Sequence, residues 1–208
     1  MSVSDEPYAL QNKNERECRL KRLGDPHIAP LTEFVLSIRQ AHRIRERIPY
    51  FDPCDGGAQA KALFLLESPG PKAVASGFIS RNNPDPTAKN MCELLGKTGI
   101  HRSDTVLWNV VPWYVGTGAK LSGLRPVDLE KGSRYLIELL QLLPHLQCVV
   151  LVGKRAQWAK GLIPSHRVFE TFHPSNRVHN RWPEKWRAIE ATFQEVAALL
   201  SSSRQHSA

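Results

Sequence analysis

Four short stretches of this sequence carry the residue types from which a reactive site can be made. The first is Glu67-Ser68-Pro69-Gly70-Pro71, a carboxylate and a hydroxyl followed by a residue with no side chain. Such a turn gathers backbone N–H groups and an acidic oxygen, and Gly70 allows a ligand to approach closely; a rigid turn without a ligand is the alternative. The second begins at Asn109 in Trp108-Asn109-Val110-Val111-Pro112-Trp113, an amide inside an apolar run. Buried without partners it costs about 1–3 kcal/mol, so it is tied to backbone or held for a ligand, to which it offers a donor and an acceptor side by side. The third, Gly153-Lys154-Arg155, places two cations after an apolar run. The fourth, His173-Pro174-Ser175-Asn176-Arg177, sets an imidazole before a rigid turn and continues through His179, Arg181, Trp182 and Lys185. Cations interleaved with hydrogen-bonding and apolar groups suit phosphate contacts and insertion into a base stack; a solvated basic loop is the alternative.

Other chemistries fit poorly. A phosphate-binding loop needs G-x-x-x-x-G-K-[ST] after a strand, but Gly70-Pro71-Lys72 is interrupted by proline and Gly153-Lys154 is followed by Arg155. Cys18, Cys54, Cys92 and Cys148 are far apart, with no CxxC pair and no histidine at metal-ligand spacing, so no zinc or cluster site is expected. Cys92 and Cys148 lie in apolar runs and read as core thiols. Lys and Arg outnumber Asp and Glu 28 to 20, a formal charge of +8, which suits a polyanionic partner without demanding one. The 208 residues, 41% hydrophobic, allow one buried core. No apolar stretch approaches the roughly 20 residues of a membrane span, and Met1–Leu10 lacks the basic and apolar regions of a signal peptide, so a cytoplasmic protein is expected.

The elements that must position these residues can be read from hydrophobic periodicity. Residues 1–25 are polar and charged and are expected as a loose or extended arm. Leu31, Phe34, Val35, Ile38 and Ala41 recur at helical spacing with Arg39, Arg43, Arg45 and Arg47 on the far face, and Pro49 ends the helix. Four β-rich runs follow, around 61–66, 105–111, 146–153 and 167–173. Between them lie helical patterns: Met91, Leu94 and Leu95; then Leu129, Leu136, Ile137, Leu140 and Leu143; then a short helix around Ala156–Lys160. A last helix from Pro183 buries Trp186, Ile189, Phe193, Val196 and Leu200. This alternation predicts one α/β domain over 26–202, a three-layer α/β/α sandwich on a central, mainly parallel four-stranded sheet, with 203–208 as a disordered tail. Ligands of such sheets sit outside the strand C-termini, where all four loops emerge.

A strand ending in ESPGP, a strand beginning Asn109-Val110-Val111 and a strand ending in His173-Pro174-Ser175, in that order, resemble the motif set of the uracil-DNA glycosylase superfamily. The pattern is nearest a bacterial and archaeal branch whose motifs read GEAPG and NVVKCRPP, and it spans about Lys61 to Trp186. The resemblance implies hydrolysis of the N-glycosidic bond of uracil in DNA, leaving an abasic site and free uracil, by a monomeric enzyme. It implies that Glu67 orients water and crowds the C5 side of the base, with Ser68 and its backbone beside it, and that Gly70 adds no bulk there. Phe78 would stack on the flipped base, Asn109 would read the N3–H and O4 edge, and His173 would hydrogen-bond O2 as charge develops. Arg177 would push into the gap left by the nucleotide, and Ser175, Arg181 and Lys154 would contact the DNA backbone. The physical logic agrees, since a base must leave the stack to be reached, and donors directed at a departing charge each contribute about 3 kcal/mol.

Two departures accompany the resemblance. Other branches carry Asp or Asn before the first-motif proline, where Ser68 stands here, so Glu67 or Asp85 must hold the water. The nearest branch also carries an iron–sulfur cluster on four cysteines, whereas this chain has Ala41-His42-Arg43-Ile44-Arg45 and Trp113 at the corresponding places, and no cofactor is expected. A glycosylase for hypoxanthine, xanthine or mismatched thymine, or a DNA-capturing module with little turnover, fits the same motifs.

Overall fold

The computed structural model describes residues 4–42, 47–116, 123–163 and 165–205. The four apolar runs become β2 (Ala62–Leu66), β4 (Thr105–Asn109), β5 (Cys148–Val152) and β6 (Arg167–Thr171), which form a sheet in the order β4-β2-β5-β6. Every pairing is parallel, so the expected mainly parallel sheet is wholly parallel. The apolar runs of β2, β4 and β5, rich in Val and Leu, are buried along nearly their whole length, whereas the edge strand β6 mixes exposed and buried residues. Parallel register puts Leu66 opposite Asn109 and Phe64 opposite Leu107 and Val150. Side chains alternate between faces, so Phe64, Leu66, Leu107 and Asn109 share one face and Leu65 and Trp108 the other. On the first face Phe64 meets Phe193 at a ring separation of 5.2 Å; on the second, Trp108 stacks on Phe51 at 3.7 Å and Phe34 packs beside it at 6.3 Å.

The covering helices are α2 (Ala29–His42), α3 (Pro71–Ser76), α4 (Pro86–Lys97), α5 (Pro126–Gln141), α6 (Asn176–Arg181) and α7 (Pro183–Gln205). Their starts follow local chemistry: Asp85 accepts the Ala88 N–H at 3.0 Å with Pro86 in the first turn, and Ser175 accepts the Val178 N–H at 3.3 Å. Helix α7 buries Ile189, Phe193, Val196 and Leu200 as its spacing predicts, with Trp186 packed partly against them. It runs through Gln205, so the tail expected from 203 begins as helix. The short helix around Ala156 is a 3₁₀ segment reaching Leu162. Arg39 is not a solvated far-face cation: its guanidinium donates to the Ile48 carbonyl at 2.9 Å and lies 3.8 Å over the Tyr50 ring. Arg43 and Arg45 lie outside the described residues. Cys148 is buried as expected, whereas Cys92 is only half-buried.

The N-terminal arm differs most from expectation. Instead of running loose, residues 4–25 form a 3₁₀ turn at Ala9–Gln11 and helix α1 (Lys13–Lys21), begun by Asn12 accepting the Asn14 N–H at 2.8 Å. Besides the buried Leu10, what fixes it is an ionic network, which is why no apolar periodicity announced it. Arg19 is fully buried, ion-paired with Asp52, and donates to Ser80 Oγ at 3.2 Å, Asn82 Oδ1 at 3.0 Å and the Ser4 carbonyl at 2.9 Å. Arg102 reaches the same Asp52 at 2.7 Å and Asp55 at 2.9 Å. Burial acts most strongly on Asp52 and would raise its pKa, but Arg102 and Arg19 together hold it below the ordinary carboxylate value. Asp55, with burial dominant, is pushed up to about 6. This network locks α1 against β1 (Tyr50–Phe51) and β3 (Phe78–Ile79), two short parallel strands that form a separate small sheet.

Candidate active site at the strand ends

At the C-terminal ends of β2 and β4 lies a cavity of about 80 Å³ lined by Leu66, Pro69, Ile79, Asn83, Asp85 and Asn109 among others. Asn109 reaches it because register places its side chain on the α4 face beside Leu66 and Leu107. The residue is 4% exposed, and its amide Nδ2 is buried without a hydrogen-bond partner among the described residues. Buried donors are nearly always satisfied, because leaving one unpaired costs about 1–3 kcal/mol. The structural asparagine weighed from sequence would be tied to backbone; this one leaves a donor free on a cavity wall. Such a donor is a fixed reading head for an acceptor on a planar ligand.

The segment from Ser76 to Asp85 forms another wall. Asn83, also buried, receives the Ser76 hydroxyl at 2.6 Å and donates to the Phe78 carbonyl at 2.8 Å, which locks the turn after β3. Phe78 itself is fully buried in β3, yet it is not part of the contiguous apolar core and its ring does not line the cavity; its neighbours Ile79 and Ser80 do. Asp85 lines the cavity with one carboxylate oxygen engaged on Ala88 N–H, and burial raises its pKa.

Glu67 follows β2 directly. Its carbonyl accepts the Val111 N–H at 3.1 Å, extending the β2–β4 pairing past Asn109, while the residue is half-buried. Burial raises its pKa and the Arg155 charge opposes the rise. Ser68 is half-buried beside it. Gly70 is not required by its backbone, since φ is −82° and a Cβ there would meet nothing within 4 Å. The space beside it is open.

His173 stands two residues beyond the end of β6. Gly153, at the end of β5 with φ +89°, makes room for it: a Cβ on Gly153 would stand 3.1 Å from His173 Cβ. Burial lowers the His173 pKa, which keeps the imidazole neutral at neutral pH. Asn90 on α4, buried, donates to the Pro174 carbonyl at 2.8 Å and so ties the loop to the cavity wall. Glu67, Ser68 and His173 do not line the cavity of Asn109; they stand at the neighbouring strand ends around it. Of the basic residues, Lys154, Arg177 and Arg181 are exposed, and Ser175 spends its oxygen on the cap of α6. Asn83 and Asn90 were not singled out from sequence, and as isolated buried asparagines they carry no periodic signal; Gly153 and Arg155 belong to the third stretch, where Gly153 makes room for His173 and the Arg155 charge bears on Glu67.

Where the resembled branch would place cluster cysteines, His42 packs on Trp113 with ring centroids 4.6 Å apart. Imidazole and indole there do not form a thiolate set, so an iron–sulfur cluster does not fit these residues. Among the described residues, no three His, Cys, Asp or Glu side chains are grouped to hold a metal ion. None of the described helices is long and apolar enough to cross a membrane. No curated protein matches the chain significantly. The family model of the uracil DNA glycosylase superfamily matches residues 53–197, more than two thirds of the chain, and that span holds the strand-end cavity, the free amide of Asn109 and the His173 loop. With a wholly parallel β4-β2-β5-β6 sheet presenting those groups at one end, the chain belongs to the uracil-DNA glycosylase superfamily, whose activity is hydrolysis of N-glycosyl bonds in DNA.

Proposed function

We propose that the protein is a monofunctional glycosylase that flips uracil out of DNA and hydrolyses its N-glycosidic bond as a monomer, without a cofactor. The observation that supports this most is the buried, unpartnered Nδ2 of Asn109 on the cavity wall. A carboxamide meets the uracil edge with a donor toward O4 and an acceptor toward N3–H. The base enters between Asn109 and the turn after β3, and Phe78, buried outside the cavity in the free protein, stacks on it only after its ring turns toward the seated base. As the bond to C1′ breaks, charge builds on the departing base, and neutral His173 donates to O2. Water attacks C1′ from the side of Glu67, whose carboxylate holds it; Ser68 contributes its backbone N–H and hydroxyl. Arg177 fills the gap in the stack, while Lys154, Arg181 and Ser175 contact phosphates.

Asp85 is the second candidate for the water, favoured by its place on the cavity wall with Asn109. Asp85→Asn keeps the helix cap, because asparagine caps as well as aspartate, and removes only the charge. If Glu67 holds the water, Asp85→Asn retains activity and Glu67→Gln loses it; the reverse outcome transfers the role. A panel of oligonucleotides, each carrying one of uracil, hypoxanthine, xanthine or mismatched thymine, tests the base assignment. Release of uracil above the others supports it, and preference for a purine lesion contradicts it.

A further inference from the structure

The surface beside the His173 loop is built to hold more of a DNA strand than the one flipped nucleotide. Phe172, the residue before His173, is 44% exposed. Trp182 lies half-buried between α6 and α7, where the N–H groups of Lys185 and Trp186 both donate to its carbonyl at 3.0 Å. Lys185 sits over both rings, its Nζ 5.5 Å from the centre of Phe172 and 4.5 Å from that of Trp182. The Arg177 guanidinium lies 5.1 Å over Trp182. Among the described residues, neither Arg177, Arg181 nor Lys185 forms an ion pair with a carboxylate.

Folding does not explain this arrangement. An apolar side chain stabilises by roughly 1.5–3 kcal/mol only when fully buried, and cation–ring contacts at exposed sites contribute about 0.5–1 kcal/mol. Two partly exposed rings carrying two unneutralised cations match the combination that binds single strands: ring faces on which bases stack, and charges for the phosphates between them. In a duplex the bases flanking a lesion already stack on their neighbours and are not available to Phe172 or Trp182.

We propose that Phe172, Trp182, Lys185 and Arg177 form a stacking ledge for unpaired nucleotides next to the excised base, so that single-stranded DNA is the preferred substrate. This rests on the reading that the adjoining cavity takes a base. On binding, the rings receive bases, Lys185 turns to an adjacent phosphate, and Arg177 leaves the Trp182 face for the gap beside the excised base.

The test measures binding, by fluorescence anisotropy, to a uracil-free oligonucleotide as a single strand and as the matching duplex over a range of salt concentrations. The full chain should bind the single strand at least about tenfold more tightly. Phe172→Ser and Trp182→Leu should each weaken single-strand binding by roughly 5- to 150-fold, the range for loss of one base–ring stack, and leave duplex binding within about twofold. Phe172→Tyr and Trp182→Phe, which keep a ring, should restore it, excluding a folding defect. Lys185→Gln should lower the single-strand salt slope by about 0.7. Equal losses on both forms, or none on either, would overturn the proposal. Single-strand binding without base release would contradict the glycosylase reading and leave the ledge standing; base release with unaffected ring variants would do the opposite.

Discussion

Asn109 separates function from stability more cleanly than any other residue, because its amide is buried at a cost that no partner among the described residues offsets. Asn109→Leu removes the unsatisfied donor at similar volume. It should leave the thermal midpoint unchanged or raised while lowering uracil release by about 100-fold or more, the scale for losing one directed donor; a midpoint lowered by several degrees would show the amide to be structural. Glu67 gives a pH signature. Its raised pKa means that, under the proposal that this carboxylate holds the water, the active form is lost, as pH falls, at a higher pH than for an ordinary glutamate. Arg155 opposes that rise, so Arg155→Ala should move the acid limb of kcat/KM to still higher pH, and Glu67→Gln should abolish the limb together with most of the rate. An acid limb unmoved by Arg155→Ala would remove Glu67 from the water step.

The elements act by holding these groups at one end of the sheet. Parallel register sets Asn109 beside Leu66, Gly153 lets β5 end against His173, and Asn90 ties the His173 loop to α4. Gly153→Ala should cost about 1–3 kcal/mol through its left-handed backbone and lower kcat by displacing His173, both read from urea unfolding and single-turnover kinetics; unchanged kcat would detach His173 from the reaction. Asn90→Ala should weaken folding by about 1–3 kcal/mol, since it leaves the Pro174 carbonyl without its partner. The four strands, their direction and the helices between them were legible because apolar runs and helical spacing are local patterns. So were Glu67, Asn109 and His173, which sit at ends of those runs. Asn83 and Asn90 were not, because a buried asparagine joining two distant segments leaves no periodic trace.

At the scale of the whole molecule, the N-terminal segment belongs to the body of the protein. Its anchor, Arg19 on Asp52, is invisible to a reading based on apolar periodicity, because it is a charge buried with charges drawn from residues 33 to 83 positions away. Arg19→Met leaves Asp52 with one cation fewer and should destabilise by about 3–5 kcal/mol in urea unfolding; a loss below about 1 kcal/mol would return the segment to a peripheral arm. The same anchor bonds Ser80 and Asn82, next to the cavity wall, so the damage should extend to activity. The central claim is that this architecture releases uracil from DNA, with the free amide of Asn109 reading the base. It is tested most directly by measuring free uracil and alkali-labile abasic sites from a uracil-containing oligonucleotide, with a chelator present, using the full chain and its Asn109→Leu variant. The account predicts stoichiometric uracil release by the first and about 100-fold less by the second. An intact oligonucleotide with the first, or equal release by both, would contradict it.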